Sequence, residues 1–105
     1  MTVDSKLADG VIYIFLHGEI DESQSEKLKN KIDELTRGQI KKAVFDFKGV
    51  TFMDSTGIGI LLGRYKLLKS RGIPIFIANP QSVVDRVFSL SGIYQIMPKV
   101  NNGVI

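Results

Sequence analysis

The sequence has no cysteine and only one histidine among its 105 residues. A chain without cysteine has no catalytic thiol and no cysteine ligand for a metal, and it fits a reducing compartment. It also lacks any apolar run near the ~20 residues of a membrane-spanning helix. Its N-terminal stretch, MTVDSKLADG, contains no signal-peptide core. These absences predict one compact cytoplasmic domain with no membrane segment.

Dense runs of basic residues are absent as well. The net charge is +3, with eight Asp/Glu against five Lys/Arg in residues 1–37 and three against nine in residues 38–105. A nucleic-acid-binding surface is usually marked by clustered Lys and Arg interleaved with aromatic residues. We therefore interpret the basic part as a solvated surface. The composition predicts a soluble monomer with no direct nucleic-acid partner.

Segments rich in β-branched and aromatic residues predict strands. Asp9-Gly10 is a hairpin signal between the first two of them. The predicted strands are 2–7, 11–17, 42–47, 73–78 and a short last one within 95–105.

Helices are predicted between these strands. The first has Asp21 or Ser23 as its cap and ends at Gly38, and another spans 81–90. Strands that alternate with helices predict an α/β domain with a partly parallel sheet and right-handed crossovers. Functional loops of such sheets lie at the carboxyl ends of strands. The sequence DSTG at 54–57 is at such a place.

The first predicted helix also has a side that is expected to face the core. Its apolar stripe is Leu28, Ile32 and Leu35.

The segment 52–68, FMDSTGIGILLGRYKLL, predicts a strand end followed by an amphipathic helix. A second apolar strip on this helix contains Ile60 and Leu67, with Arg64 and Arg71 beside it. Three explanations of this strip remain open. A neighbouring loop covers it, its two apolar residues are ordinary exposed side chains, or it is a docking surface for a partner. The main apolar face of the same helix is the one that a spacing of about 100° per residue predicts to be buried in the core. It contains Ile58, Leu61, Leu62, Tyr65 and Leu68.

Gly59 and Gly63 share one face of the same helix, where each costs roughly 1 kcal/mol relative to alanine. Close packing against the predicted helix at 22–37 would offset that cost. The close approach of another protein's backbone would offset it equally well. The sequence leaves both explanations open.

Asp54, Ser55 and Thr56 are all suited to cap the helix, although capping needs only one of them. A phosphate on a hydroxyl in the first turn is tolerated, because free N–H groups and the macrodipole favour an anion there. It would add roughly −1.5 to −2 charge at a point that a docked partner must desolvate or repel. These residues predict a switch that changes binding and preserves the fold.

Other activities have less support in the sequence. Ser55 is not within G-x-S-x-G, and the lone histidine, His17, closes a predicted strand. GIGILLG at 57–63 has the wrong spacing for a nucleotide-binding G-x-G-x-x-G and lies inside the helix. The carboxylates do not cluster at metal-ligand spacing. We therefore predict that the chain is not an enzyme, has no catalytic residue and needs no metal or other cofactor.

The chain resembles the STAS-domain anti-sigma factor antagonists of bacteria. The resemblance is carried by GEID at 18–21, by VFDFKGVTFMDSTGIGILLGRYK at 44–66 and by VFSLSGIYQI at 87–96. It implies a single STAS domain over 1–105, with a mixed β-sheet and helices packed mainly on one face.

The resemblance also implies a function. The unphosphorylated protein would bind an anti-sigma factor that is also a serine kinase of the GHKL type, and so release a sigma factor. Phosphorylation of Ser55 would end binding, and a serine phosphatase would restore it. Asp21 would meet a basic residue of the partner. The implied partner-binding residues are Asp21, Asp54, Ser55, Thr56, Gly57, Ile60, Gly63, Arg64 and Leu67.

One alternative stays within the same fold. A standalone STAS subunit of a transporter or a sensory complex, with or without a bound nucleotide, would share the helix and need not be phosphorylated. The intact DSTG sequence favours the phosphorylation switch.

Overall fold

The computed structural model describes residues 1–101, which form one five-stranded sheet with helices between its strands. No helix in this part of the chain is long and apolar enough to cross a membrane. The strands are β1 (Thr2–Ala8), β2 (Val11–Ile20), β3 (Lys42–Met53), β4 (Ile75–Ala78) and β5 (Lys99–Val100). The α-helices are α1 (Ser25–Leu35), α2 (Ser55–Lys69) and α3 (Ser82–Ser91), with short 3₁₀ turns at Glu22–Gln24 and Ile93–Gln95. The predicted last strand is β5, and residues 102–105 lie outside the described part.

The strands lie side by side in chain order. β1 is antiparallel to β2, and every later neighbour is parallel. Each parallel pair is joined through one helix, and right-handed crossovers that advance in one direction place all their helices on the same face. The mixed sheet with helices mainly on one face, predicted above, is confirmed.

The core lies between this face of the sheet and the helices. Alternate residues of the central strands point into it, as the period of two requires. The helices contribute buried apolar residues of their own. The most completely buried large side chains include Ile14, Leu16, Ile32, Phe45, Phe47, Ile77 and Phe88.

The hairpin turn lies where the sequence predicted it. Asp9 and Gly10 have φ values of 53° and 80°, the left-handed pair that a tight two-residue hairpin requires. Ala8 and Val11 pair directly across the turn. β1 is therefore fixed in register beside β2.

The predicted stop at Gly38 is wrong, since α1 ends at Leu35 and is capped at Thr36. The Thr36 hydroxyl donates to the carbonyl oxygen of Ile32 at 2.8 Å. Arg71, beyond the end of α2, donates to the carbonyl oxygens of Thr36 at 2.6 Å and Gly38 at 2.8 Å. These bonds satisfy carbonyl groups that follow the helix, so no left-handed glycine is needed. They also join the end of α1 to the end of α2.

β3 is longer than predicted and reaches Met53. Val50 and Met53 are buried beneath the helices, and pairing with β2 continues to Ile20 and Met53 through two register shifts. β4 is shorter than predicted and begins at Ile75. The length of β3 brings the DSTG sequence directly to the carboxyl edge of the sheet.

A polar cluster joins α3 to the chain that follows it. The Tyr94 hydroxyl donates to Asp85 Oδ1 at 2.5 Å, and the Lys99 ammonium donates to the same oxygen at 3.0 Å. These two hydrogen bonds, that of Tyr94 first, lower the pKa of Asp85 below its ordinary value of 3.8. Burial and the bond to Asp85 raise the pKa of Tyr94 well above its ordinary value. The ionised form of Asp85 therefore holds α3 against β5.

We expect Tyr94→Phe to lower the free energy of unfolding by about 1 kcal/mol near neutral pH, because Asp85 loses one hydrogen bond. The folded pKa of Asp85 is below its unfolded value, so this contribution is complete above about pH 4 and is lost as the pH falls through the folded value. Denaturant titrations of both proteins at neutral and acid pH measure the difference. A difference that does not shrink at acid pH would show that the Tyr94 hydroxyl stabilises the fold independently of the ionisation of Asp85.

Candidate functional site

The candidate site lies at the carboxyl edge of the sheet, where β2 and β3 end together. Ile20 and Met53 are register partners in the parallel pair. Asp21 follows Ile20 and Asp54 follows Met53. The two carboxylates predicted for the site therefore stand at neighbouring strand ends, next to the start of α2.

Asp54 is the residue that caps α2. Its backbone is extended, and its Oδ1 accepts a hydrogen bond from the backbone N–H of Thr56 at 2.9 Å. The backbone N–H of Gly57 donates to the carbonyl oxygen of Asp54 at 3.1 Å. The start of the helix is therefore stabilised by Asp54, and the hydroxyls of Ser55 and Thr56 are not needed as caps.

Ser55 is the first residue of α2 and is exposed to solvent. Within residues 1–101, no other residue makes a hydrogen bond with its hydroxyl. Thr56, the next residue, is half-buried. Of the two hydroxyls in the first turn, that of Ser55 is therefore the more exposed, and its replacement would remove no hydrogen bond among the described residues.

Asp21 has a comparable capping role on the neighbouring strand end. Its Oδ1 accepts hydrogen bonds from the backbone N–H of Ser23 at 3.0 Å and from the Ser23 hydroxyl at 2.6 Å. Asp21 therefore caps the 3₁₀ turn Glu22–Gln24. The prediction that Asp21 or Ser23 caps the first helix is wrong, because α1 begins after Gln24, which makes no side-chain capping hydrogen bond. Asp21 is half-buried, and its two hydrogen bonds with Ser23 restrain its carboxylate.

Gly57 is buried and does not face a partner, contrary to its place among the predicted partner-binding residues. A Cβ at this position would lie 2.4 Å from Met53 Cγ, 2.6 Å from Met53 Sδ and 3.3 Å from Ile20 Cγ2. The first turn of α2 therefore rests directly on the ends of β2 and β3. Only glycine permits this contact without displacing its neighbours, so Gly57 positions Ser55 indirectly.

The predicted docking strip on α2 is partly wrong. Ile60 is only 2% exposed and belongs to the core. The side chain of Arg64 is 13% exposed, and its Nε lies 3.1 Å from Asp33 Oδ1 of α1. Both residues face inward because α1 packs along this flank of α2. Leu67, at the end of the strip, is 52% exposed and remains available to a partner.

Gly59 and Gly63 lie on the side of α2 that faces away from the sheet. A Cβ added to either glycine would have no heavy atom within 4 Å. Packing against α1 therefore does not explain these glycines, and the first of the two explanations above is wrong. Leu62, predicted in the core, is 36% exposed and borders the same side. We call Gly59, Leu62, Gly63 and Leu67 the outer face of α2.

His17 is not placed to act on Ser55. It pairs in register with Gly49, six residues before Ser55, and its imidazole lies over Gly49. Its Nε2 is 3.7 Å from Asp4 Oδ2 on β1. The histidine therefore belongs to the β1 side of the sheet. The start of α2 presents the exposed hydroxyl of Ser55 directly after Asp54.

The sequence matches a family pattern and a known relative along most of its length. The sequence pattern of the STAS domain matches residues 2–104. A relative from Paenibacillus polymyxa, described as an anti-sigma F factor antagonist, is 36% identical over 96 residues, which cover 90% of this chain and 82% of the relative.

Solved structures with the same fold include one protein in two states. The anti-sigma factor antagonist SpoIIAA in its unphosphorylated form has a TM-score of 0.80 and 27% identity, over 96% of this chain and 90% of that chain. The Bacillus cell fate determinant SpoIIAA in the phosphorylated form has a TM-score of 0.72 and 26% identity, over 96% of this chain and 93% of that chain. On the sequence match and this fold, the chain belongs to the STAS domain family, as one of its anti-sigma factor antagonists.

Proposed function

We propose that this chain is a cytoplasmic switch in the control of a sigma factor, acting as one STAS domain over residues 1–105. In the unmodified state it binds an anti-sigma factor that is also a GHKL-type serine kinase, and the sigma factor is released. The kinase transfers a phosphoryl group to the hydroxyl of Ser55, and binding is lost. A serine phosphatase removes the phosphate and restores the binding state.

The observation that carries this proposal is the accessible hydroxyl of Ser55 beside an independent cap. Asp54 already accepts the hydrogen bond from the Thr56 N–H, so modification of Ser55 removes no contact that holds the helix. A phosphate at the first helical position also lies at the favourable end of the macrodipole. The folded state is therefore expected to accept the phosphate at little cost.

The partner responds differently to the same phosphate. Asp21 and Asp54 stand at the neighbouring strand ends, so the phosphate would raise the local negative charge by roughly 1.5 to 2 units in a place that is already acidic. We propose that Asp21 pairs with a basic residue of the partner, and that the docked partner desolvates this edge. When the partner docks, the phosphate loses its hydration and has no positive charge of its own opposite it. This cost of desolvation opposes docking.

The relative SpoIIAA supports the tolerance of the fold. It has been solved in both an unphosphorylated and a phosphorylated form, and this chain matches each of them over 96% of its length. For that protein, phosphorylation and the STAS fold coexist. We extend the same behaviour to this chain, with Ser55 as the acceptor.

A binding and modification experiment tests the proposal. The kinase is first captured from host lysate with Ser55→Ala as the bait, then expressed and incubated with the unmodified chain and ATP. We expect mass spectrometry to find one phosphate, on Ser55, and calorimetry to find that the phosphorylated chain no longer binds. A phosphate on another residue would contradict the assignment, as would full affinity of the phosphorylated chain.

The outer face of α2 is the second part of the proposed contact. Gly63→Ala is expected to raise the free energy of unfolding by up to about 1 kcal/mol, because alanine favours the helix and the added methyl meets open space. The same methyl should weaken the kinase complex roughly tenfold or more, because overpacking at a close contact costs about 1–3 kcal/mol. Thermal melts and calorimetry measure the two effects, which have opposite signs.

Gly57→Ala is the matched control on the same helix. Its methyl would press on Met53 and Ile20, so we expect it to lower the free energy of unfolding by about 1–3 kcal/mol. If Gly63→Ala bound the kinase as tightly as the unmodified sequence, the partner would not approach the outer face of α2 closely. In that case the contact would be limited to the edge around Ser55.

A further inference from the structure

β1 has a free edge. It pairs with β2 on one side and, within residues 1–101, with nothing on the other. Most of its side chains are exposed, including Leu7 at 61%. An unpaired edge presents a row of backbone N–H and C=O groups that can pair with another strand. The pattern of side chains along this edge determines which strand it can accept.

A second copy of β1 is a possible antiparallel partner only in certain registers. The N–H and C=O of one residue point to the same side of a strand, and this side alternates along the chain. Two identical strands related by a two-fold axis therefore keep their hydrogen bonds only when a residue lies opposite its own copy. The register centred on Ser5 pairs all seven residues of β1 (Thr2–Ala8).

The charges of β1 select the same register. With Ser5 at the centre, Asp4 lies opposite Lys6 of the second copy, and Lys6 lies opposite its Asp4. A shift to a centre at Asp4 would place two aspartates opposite each other, and a centre at Lys6 would place two lysines opposite each other. Opposite charges in a cross-strand pair are favourable and like charges are unfavourable. Of these three registers, only the central one is electrostatically complementary.

The apolar side chains agree with this register. Val3 and Leu7 point to the helix side of the sheet, where their register partners on β2 are Leu16 and Ile12. In the Ser5-centred pair, the exposed Leu7 of each copy lies opposite Val3 of the other. A groove of about 490 Å³ adjoins Val3, between the start of β1 with the preceding Met1 and the residues Lys27, Asn30 and Glu34 of α1. Leu7 of the second copy would enter the open side of that groove.

We propose that two copies of this chain associate through antiparallel pairing of β1, centred on Ser5, into one continuous sheet of ten strands. The association is weak because the paired surface is small, so the monomer predicted from composition dominates in dilute solution. The contact does not use α2, which is separated from β1 by α1 and β2. A dimer therefore leaves both Ser55 residues and both outer faces of α2 accessible. The inference does not depend on the proposed function.

Charge reversal tests the register directly. Sedimentation velocity of the unmodified chain at low salt, from micromolar to near-millimolar concentration, should show a reversible monomer–dimer equilibrium. Asp4→Lys should raise the dissociation constant about tenfold or more, because it places two like-charged pairs in the contact. Lys6→Asp should do the same. The double variant Asp4→Lys/Lys6→Asp restores opposite charges in every pair and should return the dissociation constant to within about threefold of the original.

The single variants are expected to fold, because Asp4 and Lys6 are exposed. Thermal melts confirm this, and Ser5→Pro provides a second variant that disturbs the backbone pairing of the edge. A chain that remains monomeric at every concentration would overturn the proposal. A dimer that the single reversals do not weaken would also overturn it, as would a double reversal that fails to restore association.

Discussion

Ser55→Asp is expected to bind the anti-sigma kinase about a thousandfold more weakly than the unmodified chain, a loss of ~4 kcal/mol. The added carboxylate lies at the start of α2, beside the strand ends that carry Asp21 and Asp54. Its charge is desolvated when a partner docks, whereas in the free protein it is hydrated and favoured by the helix dipole. Calorimetry of the two proteins with the purified kinase measures the difference.

Two control variants separate the effect of a charge at position 55 from loss of the hydroxyl and from a charge added elsewhere on the surface. Ser55→Ala removes the hydroxyl without adding charge, and it should bind like the unmodified chain while resisting phosphorylation. Ser89→Asp adds the same charge at an exposed serine of α3, and it should leave binding nearly unchanged. The far-UV circular dichroism of all three should coincide with that of the parent. If Ser55→Asp unfolded, the fold would not tolerate an anion at this position.

Ile60→Asp is expected to lower the free energy of unfolding by about 4–5 kcal/mol, because it buries an unpaired carboxylate in the core. That is a large part of the total stability of a domain of this size, about 5–15 kcal/mol. Leu67→Asp, seven residues later on the same helix, changes a residue that is 52% exposed. It should change stability by less than about 0.5 kcal/mol and weaken the kinase complex. Denaturant titration and calorimetry measure both quantities.

This pair of variants distinguishes folding from docking on one helix. If Ile60→Asp remained as stable as the parent, Ile60 would not be buried and α2 would be rotated relative to its position in this structure. If Leu67→Asp bound the kinase at full strength, the outer face of α2 would extend no further than Gly63. The first outcome would contradict the burial of Ile60 in the core, and the second would contradict a contact between Leu67 and the kinase.

Much of the fold follows directly from the sequence. The hairpin at Asp9-Gly10, the alternation of strands and helices and the position of DSTG at a strand end all come from local patterns. These patterns are strong because each one is required by backbone geometry. The apolar pattern does not predict the full length of β3, because Lys48, Gly49 and Thr51 interrupt the pattern before Val50 and Met53 continue it.

The rotation of α2 could not be predicted in the same way. Apolar residues occur nearly all round this helix, so their average direction says little about which side is buried. The true inner side contains Gly57, which adds nothing to an apolar count, and it is bordered by Arg64, which counts against burial. The reasons for both residues lie outside the helix, in Met53 and Asp33. Such contacts are known only when the elements have been assembled.

The capping of α2 by Asp54 has a consequence for the turnover of the protein in the cell. Because Asp54, which secures the helix, is not the residue that we propose is modified, the phosphorylated and unmodified forms should have the same resistance to proteolysis. Degradation would then remove both forms at equal rates. While degradation lowers the total amount of the protein, the ratio between the two forms would be set by the opposing activities of kinase and phosphatase.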